Sequence, residues 1–396
     1  MEFDPYSLAF FNDPFETYRH LRDKAPVYRN EERGFYALSR FRDVLDASVD
    51  FRTFSSARGI LIEDMAPELL EAMPMMIMMD PPHATKLRKL ISKAFTARKS
   101  VAFEPEVRER ARRIVGELAE RGSCDFVKDF AAVLPMEIIS SLLGVPDEDR
   151  DAVRQRADAS LTREVGTSAL PAESLTAMAE QSSYFAELIE ERRKRPKQDL
   201  ISQLLAAELE EEGGGRRKLT DPELHGFVGL VAAGGNETTT KLLGSAAVLF
   251  WRHPEIRAEM VRNPSRIPDG CEEALRYWPP SHIQGRSATR DVELHGCVIP
   301  KDSRVLLLTG SACRDEREFE EPDRFDINRK IPIQIALGHG VHKCLGSYLA
   351  RLEARVAFEE FFARIPDYEV DEEGCERVHM SNVAGYASIP IRYQPV

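Results

Sequence analysis

Ala336-Leu337-Gly338-His339-Gly340-Val341-His342-Lys343-Cys344-Leu345-Gly346 is the stretch on which the reading of this chain turns. Glycines at 338, 340 and 346 punctuate a loop that delivers a single thiol, and apolar residues at helical spacing follow (Leu345, Leu349, Leu352, Val356). Cys344 therefore falls just before or inside the first turn of a helix. Unpaired backbone N–H groups and the helix dipole there favour a thiolate over a thiol. A lone thiolate of this kind is a nucleophile or a metal ligand, and the glycines let something flat and bulky come close to the backbone.

Composition narrows the classes. The chain has 396 residues, 30% charged and 43% hydrophobic, the balance of a globular enzyme with a large core. A net charge of −12 argues against generic nucleic-acid binding. The start, Met1-Glu2-Phe3-Asp4-Pro5, lacks the basic and apolar runs of a signal peptide, and the apolar stretch Leu242 to Trp251 is too short to span a bilayer. Six cysteines (124, 271, 297, 313, 344, 375) lack paired spacing, which points to a reduced compartment. A soluble, cytoplasmic protein without a membrane anchor is expected.

Helical periodicity prevails along the chain. Residues 14–24, 103–121, 136–143, 149–160 and 173–195 carry apolar side chains at three- and four-residue intervals. Asp199 caps a further helix start, and Thr220-Asp221-Pro222-Glu223 is a capping box opening a long helix to about Phe250. Glu208 to Lys218, with its triple glycine, predicts a flexible loop. Strand-like pieces are short: Val27–Arg29, Tyr36–Leu38, Val292–Leu294, Val305–Leu308 and Ile389–Tyr393. No linker separates independent domains, so residues 1–396 are expected to form one mainly α unit with small β-sheets.

The long helix carries Ala232-Ala233-Gly234-Gly235-Asn236-Glu237-Thr238-Thr239-Thr240 in its middle. Each glycine there costs roughly 1 kcal/mol relative to alanine, and β-branched threonines add to the poor propensity. Two readings account for this: space for a ligand beside a carboxylate and hydroxyls, or a close helix–helix crossing. Downstream, Glu273 and Arg276 have the spacing of an ordinary ion pair on one helix face. Arg286 and the run Glu321-Pro322-Asp323-Arg324-Phe325-Asp326 follow.

In order and spacing these pieces resemble the cytochrome P-450 family, the heme-thiolate monooxygenases, from about Pro5 to Ile391. The resemblance implies the cytochrome P-450 fold as a single heme-containing unit of the soluble bacterial type. It implies heme b (iron protoporphyrin IX) with Cys344 as axial thiolate ligand, held by the loop from Gly338 to Gly346. Gly235, Glu237 and Thr238 correspond to the oxygen-activation motif, with Glu237 and Thr238 in the catalytic roles, while Gly234 and Gly235 are expected to leave room for oxygen against the helix. Arg88, Arg286 and His342 correspond to contacts of the heme propionates. Glu273, Arg276 and Arg324 correspond to a structural triad beneath the loop. In the family's chemistry one oxygen atom of O2 enters an apolar substrate and the other leaves as water.

The chain departs from the family pattern at three positions. Leu337 replaces an aromatic residue beside the thiolate, Ala84 stands where a histidine is common while His83 sits one place early, and Cys313 replaces an asparagine. His282 and His295 are expected to have no ligand role. Six of the eleven methionines (65, 73, 75, 76, 78 and 79) fall in the family's variable lid, and suit either an adaptable apolar surface or packing under a long loop. By resemblance, residues 281–284, 161–175 and 382–385 line the pocket, and the substrate is a hydrophobic terpenoid, steroid, fatty acid or polyketide. Electrons are expected from NAD(P)H through a ferredoxin-type donor and its reductase. Lys86, Arg88, Lys89, Lys93, Arg98 and Lys99 offer a basic run to such an acidic partner. A peroxide-driven peroxygenase, a heme sensor or carrier, and a zinc site from His339, His342 and Cys344 are the alternatives. The pair Glu237-Thr238 speaks against the peroxygenase, and a missing fourth ligand against zinc.

Overall fold

The long helix runs Asp221–Arg252 through the middle of the molecule, and its start follows from local chemistry. Thr220 Oγ1 accepts from Glu223 N–H while Thr220 N–H donates to the Glu223 carboxylate, and Arg217 forks onto the same carboxylate at 2.7 Å. Satisfying these first-turn donors, with Pro222 needing none, fixes where the helix begins. The structure is a computed structural model that describes residues 3–72, 74–161, 171–211, 214–380 and 382–396.

Around this helix pack Val133–Leu143, Ile267–Tyr277 and Ser347–Arg364, all carrying buried apolar faces. Phe250 meets Phe358 with ring centroids 4.9 Å apart, and Phe126 meets Phe361 at 5.1 Å, so aromatic edges clamp the core under the cysteine loop. The other periodic segments form helices at Phe15–Lys24, Glu104–Ala119, Arg150–Leu161, Ala172–Lys194 and Leu200–Ala206. Asp199 caps the last of these by accepting from Ser202 N–H at 2.8 Å.

A five-stranded sheet lies to one side, in the order Val27–Asn30, Phe35–Leu38, Arg304–Leu307, Gln284–Ala288, Phe54–Ser55. Phe35–Leu38 runs parallel to Arg304–Leu307, and the other neighbours are antiparallel. Gln284–Ala288 was not foreseen, because Gln-Gly-Arg-Ser-Ala has neither β-branched nor aromatic residues to signal a strand. Glu208 to Lys218 also differs from the flexible loop expected. Glu208–Glu210 pairs antiparallel with Arg216–Lys218, and Gly214 and Gly215 fall between the two strands of this hairpin.

The Glu273–Arg276 pair is entirely buried. Arg276 donates to both Glu273 oxygens at 2.7 and 2.8 Å, and its remaining donors reach the carbonyls of Cys313 and Pro322 at 2.9 Å. The third member of this cluster is Arg329, whose Nε donates to Glu273 at 3.2 Å. Arg324, the residue expected there, has a 60% exposed side chain that pairs with Glu321 and Asp326 and lends only its carbonyl to Arg276. Two turns, one at Cys313 and one at Pro322–Arg324, are thereby tied through their carbonyls to one helix. All six cysteines are free thiols, and among the described residues no helix is long and apolar enough to cross a membrane.

Candidate active site

Glycine geometry shapes the cysteine loop. Gly338 and Gly340 sit at φ +68° and +67°, which a side chain would strain, and a Cβ at Gly340 would come 2.9 Å from the Ser48 carbonyl. Gly346 adopts an ordinary φ of −82°, and a Cβ there would meet nothing within 4 Å, because it borders open space. The loop closes through Cys344 N–H donating to Leu337 C=O at 2.7 Å. The helix begins only at Ser347, and Gly346 N–H, at its N-cap, is aimed at the sulfur. Burial pushes the Cys344 thiol up, against the lowering pull of that amide, Arg88, Arg351 and Lys343. The expected preference for thiolate is thus outweighed by desolvation, and a bound metal cation is what would reverse the balance.

Cys344 opens on a cavity with about 1650 Å³ of atom-free space, mouth included. Its opposite wall is the long helix, with Gly234, Gly235, Thr238, Thr239 and Leu242. The two adjacent glycines serve different ends. A Cβ on Gly234 would enter open space, whereas one on Gly235 would come 2.3 Å from Ile139 Cδ1. Both sequence readings hold, one per residue: Gly234 leaves the cavity open and Gly235 permits the helix crossing. Thr238 lines the cavity and donates its hydroxyl proton to Gly234 C=O at 2.8 Å, leaving lone pairs toward the open space. Glu237 does not line the cavity; it is buried beside it, 3.1 Å from Lys241 Nζ.

Two guanidiniums and an imidazole converge on the cavity. Arg286 is 5% exposed and among the described residues donates only to its neighbour Gly285 C=O, and burial lowers its guanidinium to about 10, helped by Arg304. Arg88, from the helix His83–Ile91, is lowered by burial. His342 is pushed down to about 4 by burial and by Arg286 and Arg88, and its Nε2 has no hydrogen-bond partner. Among the described residues neither arginine forms an ion pair. A cavity holding two guanidiniums and an orphaned imidazole nitrogen, with one cysteine in its floor, fits a ligand that combines a metal with carboxylates. The residues present therefore fit heme.

Other expectations map unevenly. Pro280, Ser281 and Gln284 line the cavity, but residues 382–385 do not; Val383 instead forms a β-bridge with Ser281. Of the methionine-rich segment, Met76 reaches the wall beside Ile77, while Met65 packs on Gly59 and Met73 lies outside the described residues. Residues 162–170 of the expected 161–175 wall also lie outside them. His83 faces Glu223 at 3.5 Å, away from the cavity, and buried Ala84 takes its place on the helix. His339 lines the cavity, while His282 is buried against Tyr18 and His295 pairs with Asp43 at 2.8 Å. Missed altogether was Glu353, a buried carboxyl on the cavity floor that desolvation holds well above the usual range. Its signal was present: a lone acid four residues after Leu349 on an apolar stripe.

A sequence model of Cytochrome P450 matches residues 73–267 and 269–379. The chain belongs to the cytochrome P450 family. It is 44% identical over 394 residues to putative cytochrome P450 123 of Mycobacterium tuberculosis, covering 99% of this chain and 96% of that one. Vitamin D(3) 25-hydroxylase of Pseudonocardia autotrophica is 35% identical over 399 residues, covering 99% and 96%. The structure of cytochrome P450 CYP109Q5 from Chondromyces apiculatus superposes with a TM-score of 0.88 at 34% identity, covering 100% and 98%. The protein is a P450 monooxygenase of the bacterial type with the P450 fold, and this family carries heme on a cysteine thiolate.

Proposed function

We propose that this P450 binds heme b through Cys344 and hydroxylates a hydrophobic organic substrate with electrons from a ferredoxin-type partner. The observation that carries this reading is the convergence of Arg88, Arg286 and His342, without carboxylate partners among the described residues, around a cavity floored by Cys344. Arg88, Arg286 and the free nitrogen of His342 would hold the propionates, and the backbone at Gly338 and Gly346 leaves the macrocycle room. Bound there, heme supplies the activation of O2 that the family uses. The overall balance is substrate, O2, NADPH and one proton giving hydroxylated product, water and NADP+.

The chain's own residues prepare this reaction. Gly234 keeps the distal side open against the helix. Thr238, its proton committed to Gly234 C=O, accepts a hydrogen bond from a water or acid in the cavity and so fixes a proton donor there. Glu237, one residue away and buried, is the acid that resupplies protons beside Thr238 in a site that otherwise excludes water. Phe95, Ile91, Met76, Ile77, Leu230 and Val231 make the walls apolar, which suits a terpenoid, steroid, fatty acid or polyketide. The likeness to vitamin D(3) 25-hydroxylase puts sterol-like molecules first in a screen. Lys93, Arg98 and Lys99, which follow the helix carrying Arg88 in the chain, are exposed and offer positive charge to an acidic electron donor. Pairing of Lys89 with Glu210 at 3.3 Å takes it out of that set.

Turnover with ferredoxin, its reductase, NADPH and 18O2 over a sterol-led substrate panel tests the reading. One labelled oxygen is expected in the product, and Glu237→Gln is expected to lower product formation about a hundredfold. Turnover with hydrogen peroxide alone, and none with the ferredoxin chain, would establish the peroxygenase instead.

A further inference from the structure

Lys241 is 4% exposed, and a buried ammonium is costly unless paired. Among the described residues its one ion pair is with Glu237, a turn earlier on the same helix. That pair is loose: the 3.1 Å contact reaches Glu237 Oε2, yet no donor is aimed at this oxygen in hydrogen-bond geometry. The lysine stem, by contrast, is pinned. Gly385 presses on it so closely that a Cβ there would lie 2.7 Å from Lys241 Cβ and 3.0 Å from Cγ and Cδ.

Gly385 ends a segment bonded to the cavity wall. Ser281 and Val383 form a β-bridge, His282 N–H donates to Asn382 C=O at 3.1 Å, and Ala384 N–H donates to Pro280 C=O at 2.8 Å. Pro280 and Ser281 line the cavity. An unbroken series of contacts thus runs from the substrate wall through residues 382–385 to Lys241 and on to Glu237. We propose that Lys241 is a positioning residue, which orients the Glu237 carboxylate and passes to it the position of the wall at Ser281. This rests on the reading of Glu237 as proton source. A substrate that shifts the wall moves Gly385 against the stem, and the loosely bonded carboxylate follows.

Three variants, Lys241→Met, Lys241→Arg and Gly385→Ala, test this alone and with Glu237→Gln. The first readout needs no turnover: thermal unfolding should drop for Lys241→Met and recover in Lys241→Met/Glu237→Gln, since the double variant strands no charge. The second is the division of NADPH electrons between product and hydrogen peroxide (O2, NADPH and a proton giving H2O2 and NADP+). Lys241→Met and Gly385→Ala should each raise the peroxide-to-product ratio roughly tenfold, part of what a placed acid contributes, while Lys241→Arg stays near the parent. Neither should add to the effect of Glu237→Gln. If Glu237→Gln lowers product but Lys241→Met and Gly385→Ala do not alter the ratio, the role of Lys241 is overturned and that of Glu237 stands. If Glu237→Gln itself leaves product unchanged, the proton-source reading falls, and the role of Lys241 with it. Should Lys241→Met fail to fold, Gly385→Ala, which keeps the charge, decides.

Discussion

Glu273–Arg276 and Glu237–Lys241 are both acid–base pairs within one helix turn, and both are buried, yet they are built to opposite ends. Around Glu273 the donors are in surplus. Arg276 forks onto both oxygens, Arg329 adds a third contact, and Asp326 N–H a fourth at 3.0 Å. Around Glu237 there is one ammonium and an oxygen with no donor aimed at it. Burial alone does not fix a charge; the number of well-directed hydrogen bonds does. The first pair is a staple beneath the cysteine loop. The second is a carboxylate with freedom to move, placed next to a cavity where protons are needed.

The strongest way to break this contrast is to remove one side of the staple. Arg276→Leu removes two of the four bonds to buried Glu273 and takes the donor from the Cys313 and Pro322 carbonyls, and should cost about 3–5 kcal/mol, enough to lose folded protein at growth temperature. Equilibrium unfolding in urea measures it, and unchanged stability would show that the cluster is not a staple. Next comes the identity of its third member. Arg329→Ala should cost about 1–3 kcal/mol because it removes a buried charged hydrogen bond, whereas Arg324→Ala, at an exposed side chain, should stay within about 0.5 kcal/mol. Equal effects in the same unfolding assay would return Arg324 to the cluster.

The smallest effect sharpens the rule on donors. His282 has Nδ1 bonded to Tyr18 Oη at 2.9 Å and Nε2 without a partner, and burial lowers its imidazole to about 3. A group with a depressed native pKa stabilises the fold fully above its unfolded value, and that contribution is lost as pH falls through it. Folding stability should therefore decline by roughly 1.4 kcal/mol for each pH unit on account of this residue, from about 6.5 down to about 3, where the folded state takes up the proton as well. His282→Asn keeps an acceptor for Tyr18 and should flatten that part of the acid limb. An acid limb identical to the parent's would mean that the imidazole is not held neutral.

The same contrast explains what the sequence made legible. The cysteine loop could be read because its cause is local: Gly338 and Gly340 need positive φ, and the apolar helix follows directly. The capping box at Thr220 and the cap at Asp199 are local in the same sense. Glu273 and Arg276 were visible as a pair, but whether they were exposed or buried depended on carbonyls 37 to 46 residues away. The third arginine was misplaced for that reason. Arg324 and Arg329 flank one turn, and only the folded chain shows which one points inward. Gly234 and Gly235 looked alike until Ile139 arrived from another helix. Lys241 drew no notice as an ordinary lysine on a helix, since its partners Glu237 and Gly385 acquire meaning only when the C-terminal segment folds over it.

The account stands most directly on Cys344 as the heme thiolate. Purified protein reconstituted with heme, reduced with dithionite and exposed to carbon monoxide, is compared by difference absorbance with its Cys344→His variant. The account predicts a Soret band at the red-shifted position of thiolate ligation in the parent, absent from the variant. A parent band at the position of histidine or neutral-thiol ligation, or one that the variant retains unchanged, would contradict it.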